Sequence, residues 1–177
     1  DRKLVELPGA EPWLHALNLL NLGTVICSVG DRDLGRLREG YEVLERAERA
    51  FLDAGLGGHP DMFFVHLAKS DASLYFADWE EMEREALAAA AHRMQLAGPN
   101  ASAVLWMYSR ALVARVKQGD EEGARQLVRR FIRRYPDRIE DGFSPIMKNA
   151  CLNLFNEAGH VLSEEQKKLL LEWGAEG

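Results

Sequence analysis

The stretch "NLGTVICSVGDRD", Asn21 to Asp33, sets one glycine inside an apolar helical run and a second at its end. A glycine in a helix interior costs about 1 kcal/mol against alanine. Gly23 is therefore expected where a second helix packs too close for a Cβ. Gly30, followed by Asp31, suits the conformation in which a chain leaves a helix. Together they predict two helices joined by a tight turn, with Gly23 at their contact.

The same helical period extends in both directions. Residues 12–29 carry Trp13, Leu14, Leu17, Leu20, Val25 and Ile26, too dense an apolar set for a surface helix. Residues 32–54 bring Leu34, Leu37, Tyr41, Leu44, Ala47 and Phe51 round at three- and four-residue steps, an amphipathic stripe. Further helical segments are expected at 60–77, 79–97, 101–118, 121–134, 145–158 and 163–173. They are divided by "LGGHP" (56–60), "GPN" (98–100) and "YPDRIEDGFSP" (135–145). Ser163 and Gln166 have the spacing of a capping box. Sustained period-two alternation is absent, so the chain reads as all-α.

Composition agrees with one globular domain over 1–177: 47% of the 177 residues are hydrophobic, 28% are charged, and the net charge is −6. The negative charge argues against nucleic acid and anionic membranes as partners, and no apolar run is long enough to span a bilayer. The N-terminus has no secretory apolar core and no Met precedes Met62, so the chain is expected to be a piece of a longer protein. Cys27 and Cys151 lie 124 positions apart in apolar helical patterns. They are expected to be buried free thiols in a reducing cytoplasm.

The turns recur. "VGD" ends at Asp31, "FAD" at Asp78, "QGD" at Asp120, and "EAGH" reaches the equivalent place at His160, at intervals of 47, 42 and 40 residues. Helix-turn-helix units at such a period cannot bury their own apolar faces singly, and stack. In "NLGTVICSVGDRD" the Leu22-Gly23 pair and the Gly30-Asp31 turn resemble the tetratricopeptide repeat. "YSRALVARVKQGDEEGARQLVRRFIRRYP" resembles it too, through Tyr108, Ala111, Gly119-Asp120, Ala124, Phe131 and Pro136, although Leu112 stands where the family has a small residue. A second hairpin has Ala77 in place of the turn glycine, and a fourth keeps chiefly Gly159. The resemblance covers 12–173 and implies a right-handed α-α solenoid of about four hairpins, lengthened and degenerate.

It also implies a function. The first helix of each hairpin in this family lines a concave groove that holds a protein or peptide, which makes this chain an adaptor-like interaction module. By position the groove residues are Asn21 and Thr24, with Leu17 and Leu20, from the first hairpin. Phe64, Asp71 and Tyr75, with Leu67, come from the second, and Trp106, Ser109 and Arg110, with Val113, from the third. Asn149, Asn153 and Asn156 come from the fourth. The alternative is a sensory segment of a larger regulator, such as a transcriptional one, binding a small effector. The carboxylate clamp known in the family is in doubt, because Leu20 and Thr24 stand where its pair should be.

A second surface is expected on "ARQLVRRFIRR". At about 100° per residue, Arg125, Arg129, Arg130, Arg133 and Arg134 fall on one half of the helix and Ala124, Leu127, Val128, Phe131 and Ile132 on the other. Such a basic face suits an acidic partner or a neighbouring domain. The final segment keeps Leu169, Leu170, Leu171 and Trp173, which suggests cover from the preceding hairpin or from a second copy.

Catalytic and metal-binding patterns are missing: there is no His-Glu-x-x-His, Cys-x-x-Cys, Gly-x-Ser-x-Gly or phosphate loop. Neither an enzyme nor a cofactor or metal is expected. Glu80, Glu81, Glu83 and Glu85 open a helix, where they suit its dipole and solvent. His66 is expected to be a satisfied interior or groove histidine.

Overall fold

The computed structural model describes residues 11–29, 33–98, 102–134 and 162–175. All the regular structure in them is α-helical: α1 (Pro12–Val29), α2 (Leu34–Asp53), α3 (Met62–Phe76), α4 (Trp79–Ala97), α5 (Ser102–Gln118), α6 (Glu121–Arg134) and α7 (Glu164–Ala175). Their bounds fall within about two residues of the sequence expectation. The segment expected at 145–158, the turn at Gly30-Asp31, and Cys151, Gly159 and His160 lie outside the described residues.

Each helix starts and stops for a local reason. Asp33 Oδ1 accepts from the amides of Gly35 and Arg36 at 2.9 and 3.3 Å, capping α2. Asp78 accepts from the Glu81 amide to start α4, and Asp120 from the Gly123 amide to start α6. The aspartates that mark the repeat period are thus N-caps at two of the turns, while in the first hairpin the cap on α2 is Asp33. Ser163 and Gln166 form the expected capping box, each amide donating to the other's side chain at 3.1 Å.

Three of the helix exits are alike. Beyond α2, α3 and α5 the chain turns left-handed at Gly55 (φ +71°), Ala77 (φ +55°) and Gly119 (φ +76°). At each, two amides donate back to the last turn: Gly55 to Leu52 and Leu56 to Phe51, Ala77 to Leu74 and Asp78 to Ser73, Gly119 to Val116 and Asp120 to Arg115. Ala77 is the one residue other than glycine with positive φ among those described.

Helices neighbouring in sequence pack against each other, most closely α1 with α2, α3 with α4 and α4 with α5. Gly23 and Gly40 let α1 and α2 touch. A Cβ on Gly23 would stand 2.8 Å from Leu44 Cγ and 3.1 Å from the Gly40 carbonyl oxygen. One on Gly40 would stand 2.5 Å from Cys27 Sγ and 3.0 Å from its backbone nitrogen.

The apolar interior divides in two. Ala16, Leu19 and Leu20 of α1 meet Leu44, Ala47 and Phe51 of α2 and Met62, Val65 and Ala68 of α3. Phe63 and Leu74 of α3 instead join Met82 and Ala86 of α4, most of α5, and Ala124, Leu127 and Val128 of α6. Helix α3 is therefore a wall common to both cores. Leu162 and Leu169 close over the second, and Gln166 Nε2 reaches the Val116 carbonyl. The preceding helices thus provide at least part of the cover expected for the last segment; Leu170, Leu171 and Trp173 lie outside the described side chains.

Candidate functional site

Along α3, Phe64, Asp71 and Tyr75 fall within about 40° of one another at 100° per residue. Val65, His66, Ala68, Lys69 and Ala72 turn inward. Phe64 keeps 49% of its surface exposed and Tyr75 37%, with Leu67 half-buried between them. On α5, Trp106 is 41% exposed. Asn21 and Thr24 of α1 are exposed and Leu17 is half-buried. Val25, Leu34 and Leu52 are exposed as well, so what sets Phe64, Tyr75 and Trp106 apart is that they are aromatic and lie on α3 and α5, which the Asp71–Arg110 pair joins.

Asp71 and Arg110 join α3 to α5. The guanidinium donates through Nη1 to Asp71 Oδ1, and its central carbon lies 4.3 Å over the Trp106 ring. Arg110 is almost wholly covered, whereas the Asp71 side chain remains 43% exposed. The pair thus presents its carboxylate outward over a buried cation that an aromatic face helps to hold.

Four residues expected to line the groove are buried here. Ser109 is 1% exposed and its hydroxyl donates to the Leu105 carbonyl; Val113 is fully buried, and so nearly is Leu20. Arg110 is a buried ion-pair partner and does not present a charge to solvent. Leu20 is taken up by the core between α1, α2 and α3, and α5 is covered by α4, α6 and the approach to α7, so among its described side chains Trp106 is the one strongly exposed large apolar residue. Asn149, Asn153 and Asn156 lie outside the described residues. On α6, Arg129 and Arg130 are exposed and Arg125 is half-buried, while Ala124, Leu127 and Val128 face the core as expected. The side chains of Arg133 and Arg134 lie outside those described.

Between the two cores sits a charged node that the sequence reading missed. The Lys69 ammonium donates to Glu48 Oε2 and to Glu85 Oε1, each at 2.7 Å. His66 Nδ1 donates to the other Glu85 oxygen at 2.6 Å, and Arg84 donates to Oε1 at 2.9 Å. Arg84 also pairs with Glu81, which accepts from the Tyr41 hydroxyl. Lys69 lies 5.5 Å over the Tyr41 ring, and His92 stacks on His66 with ring centres 5.2 Å apart.

Glu85 was expected to face solvent at the start of α4 but is 2% exposed. It shares a face of α4 with Glu81, one turn earlier, and that face is the one covered by α3, so Glu85 lies deeper than Glu81. Burial pushes its carboxyl upward, but the His66 and Lys69 hydrogen bonds and charges outweigh this and bring it down to about 2. Burial opposes the Lys69 charge as well, yet Glu48 and Glu85 hold its ammonium above the ordinary range. The Tyr41 phenol is raised by burial and by Glu81. His92 is lowered by burial and by the neighbouring His66.

Glu48, His66 and Glu85 bring three donor atoms within 4.8 Å of one another. A metal would have to displace the Lys69 ammonium, which already meets both carboxylates and serves as the cation there. His66 is, as expected, a satisfied interior histidine. The polar positions 41 and 48, 66 and 69, and 81, 84, 85 and 92 do repeat at helical steps. That spacing was the signal available, and it needed knowledge of which helices meet.

With the geometry in view, comparison adds no relative: no protein-family model matches the chain, and no curated protein matches it significantly. None of the described helices is long and apolar enough to cross a membrane.

Proposed function

We propose that this chain is a non-catalytic interaction module, a tetratricopeptide-like right-handed solenoid of about four hairpins that seats a protein or peptide partner on the face formed by α1, α3 and α5. The observation that carries the reading is the exposed aromatic set Phe64, Tyr75 and Trp106 on the first helices of consecutive hairpins. Asp71 and Arg110 join α3 to α5 beside Trp106, and Asn21 and Thr24 on α1 are exposed and uncharged. Such a surface suits apolar anchors of an extended or helical segment, with aromatic side chains supplying contact area. The non-catalytic part of the reading rests on the charged node, whose central groups His66, Lys69 and Glu85 are buried and engaged with each other. A cytoplasmic setting suits Cys27, held as a partly buried thiol that points at the Leu37 carbonyl.

The test is selection of short random peptides against the immobilised chain, repeated with Trp106→Ala and Phe64→Ser variants whose folding is checked by circular dichroism. Peptides enriched on the parent and weakened about tenfold or more by either substitution support the groove. Enrichment that both variants retain, or none on the parent, overturns it.

A further inference from the structure

Resting on that reading, we propose that the partner segment carries a lysine or arginine between large apolar residues, and that this cation is received by Asp71. Among the described residues of the α3 stripe, Phe64, Leu67, Asp71 and Tyr75, Asp71 is the one charged group. The α1 stripe of Leu17, Asn21 and Thr24 carries no charge. On α5 the cation nearest this surface, Arg110, is 4% exposed at its side chain while Asp71 is 43% exposed.

The pair is thus oriented with its negative end outward. Arg110 cancels part of the carboxylate's charge, but because the guanidinium lies behind it and is covered, an approaching cation meets the negative end of the pair first. Arg110 fixes one carboxylate oxygen and removes much of the rotamer freedom that ordering Asp71 would otherwise cost. An acidic segment would instead meet like charge at the centre of the groove, with the compensating guanidinium covered by Trp106.

The spacing suits such a segment. Asp71 lies two turns beyond Phe64 and one turn before Tyr75, about 10 Å and 6 Å along the helix at 1.5 Å per residue. An extended peptide rises about 3.3 Å per residue. One lying along α3 would therefore put apolar anchors about three and two positions either side of its cation.

The experiment reads the sequences of the peptides selected on the parent chain, then the affinity of one synthetic winner and of its Lys→Gln or Arg→Gln form. Both are measured by titration calorimetry at low and high salt, on the parent and on Asp71→Asn. The inference expects a basic residue with large apolar residues within about three positions on both sides. It expects about a tenfold loss on neutralising that residue, a loss that shrinks with added salt and vanishes on Asp71→Asn. Because Asp71→Asn strips a buried arginine of its charged partner, its fold is checked first. If it unfolds, the peptide substitution and salt series on the parent decide.

Winners that depend on Trp106 but carry no basic residue overturn this inference and leave the groove reading standing. So do winners whose cation can be neutralised without loss. No winners, or winners indifferent to Trp106→Ala and Phe64→Ser, overturn both.

Discussion

Gly23→Ala sets two effects of known sign against each other. Helix propensity alone favours alanine by about 1 kcal/mol. In the fold, the added Cβ would stand 2.8 Å from Leu44 Cγ, 2.9 Å from Leu44 Cδ2 and 3.1 Å from the Gly40 carbonyl oxygen. Ordinary contacts begin near 3.4 Å, so the helices must separate by several tenths of an ångström or Leu44 must move. Leu44 is fully buried among Ala47, Leu19 and Leu20, and the carbonyl belongs to the backbone of α2. Overpacking of this kind costs about 1–3 kcal/mol. Near the upper end of that range, the balance after the propensity gain is a net loss of about 1–2 kcal/mol.

For a chain of this length that corresponds to a fall in Tm of roughly 2–8 °C. Urea unfolding followed by circular dichroism should show a lower midpoint with an unchanged slope. In a Leu44→Ala background the same substitution should cost clearly less, because the two closest atoms it meets are gone and only the Gly40 carbonyl contact at 3.1 Å remains. A midpoint that rises in the parent background would refute the close-packing argument.

The other predictions follow from the turn, the node and the thiol. Ala77→Gly should raise stability by about 0.5–1 kcal/mol, since the left-handed conformation costs an L-residue about 1–2 kcal/mol and glycine's greater unfolded freedom returns part of it. The same urea assay checks this, and a lower midpoint would contradict the φ of +55°. Glu85→Gln should cost about 3 kcal/mol or more by stranding buried cations, measured at neutral pH. Glu85 is depressed from 4.5 to about 2, so its contribution is present above pH 4.5 and lost as pH falls toward 2. The parent's stability should decline over that window, and the decline should be shallower in Glu85→Gln. His92, lowered in the fold, binds its proton more readily when unfolded, so His92→Gln should flatten the loss of stability just below pH 6.5. Burial raises the Cys27 thiol to about 11. In a Cys151→Ser chain, native Cys27 should therefore react with a disulfide reagent at pH 8 about a hundredfold more slowly than after unfolding. Equal rates would contradict it.

Much of the helical framework was legible from period and punctuation. The stripe of α2, the capping box at Ser163 and Gln166 and the close approach at Gly23 all depend on residues a few positions apart, or on a property of glycine that sequence carries directly. Gly40, the other half of that approach, went unnoticed because a glycine on an amphipathic helix has no signature until its neighbour is known. Ala77 could be seen to break the turn pattern, and only the backbone showed that it takes the glycine's left-handed conformation regardless.

The site divides along the same line. That Phe64, Asp71 and Tyr75 share a face follows from helical geometry within one element. Whether they and Trp106 are exposed does not, and the burial of Ser109, Val113 and Arg110 on the equivalent helix shows why. Exposure is decided by how many neighbours a helix acquires, and α5 acquires α4, α6 and part of α7. The charged node is the clearest case. Glu85 read as a surface charge, because an ionised side chain is ordinarily too costly to bury, and nothing in the sequence singled out Glu48 or Lys69. Only the junction of α2, α3 and α4 brings them within hydrogen-bonding distance, where each removes the cost of burying the next. Local order came from neighbours in the chain, and the meaning of its charges from neighbours in space.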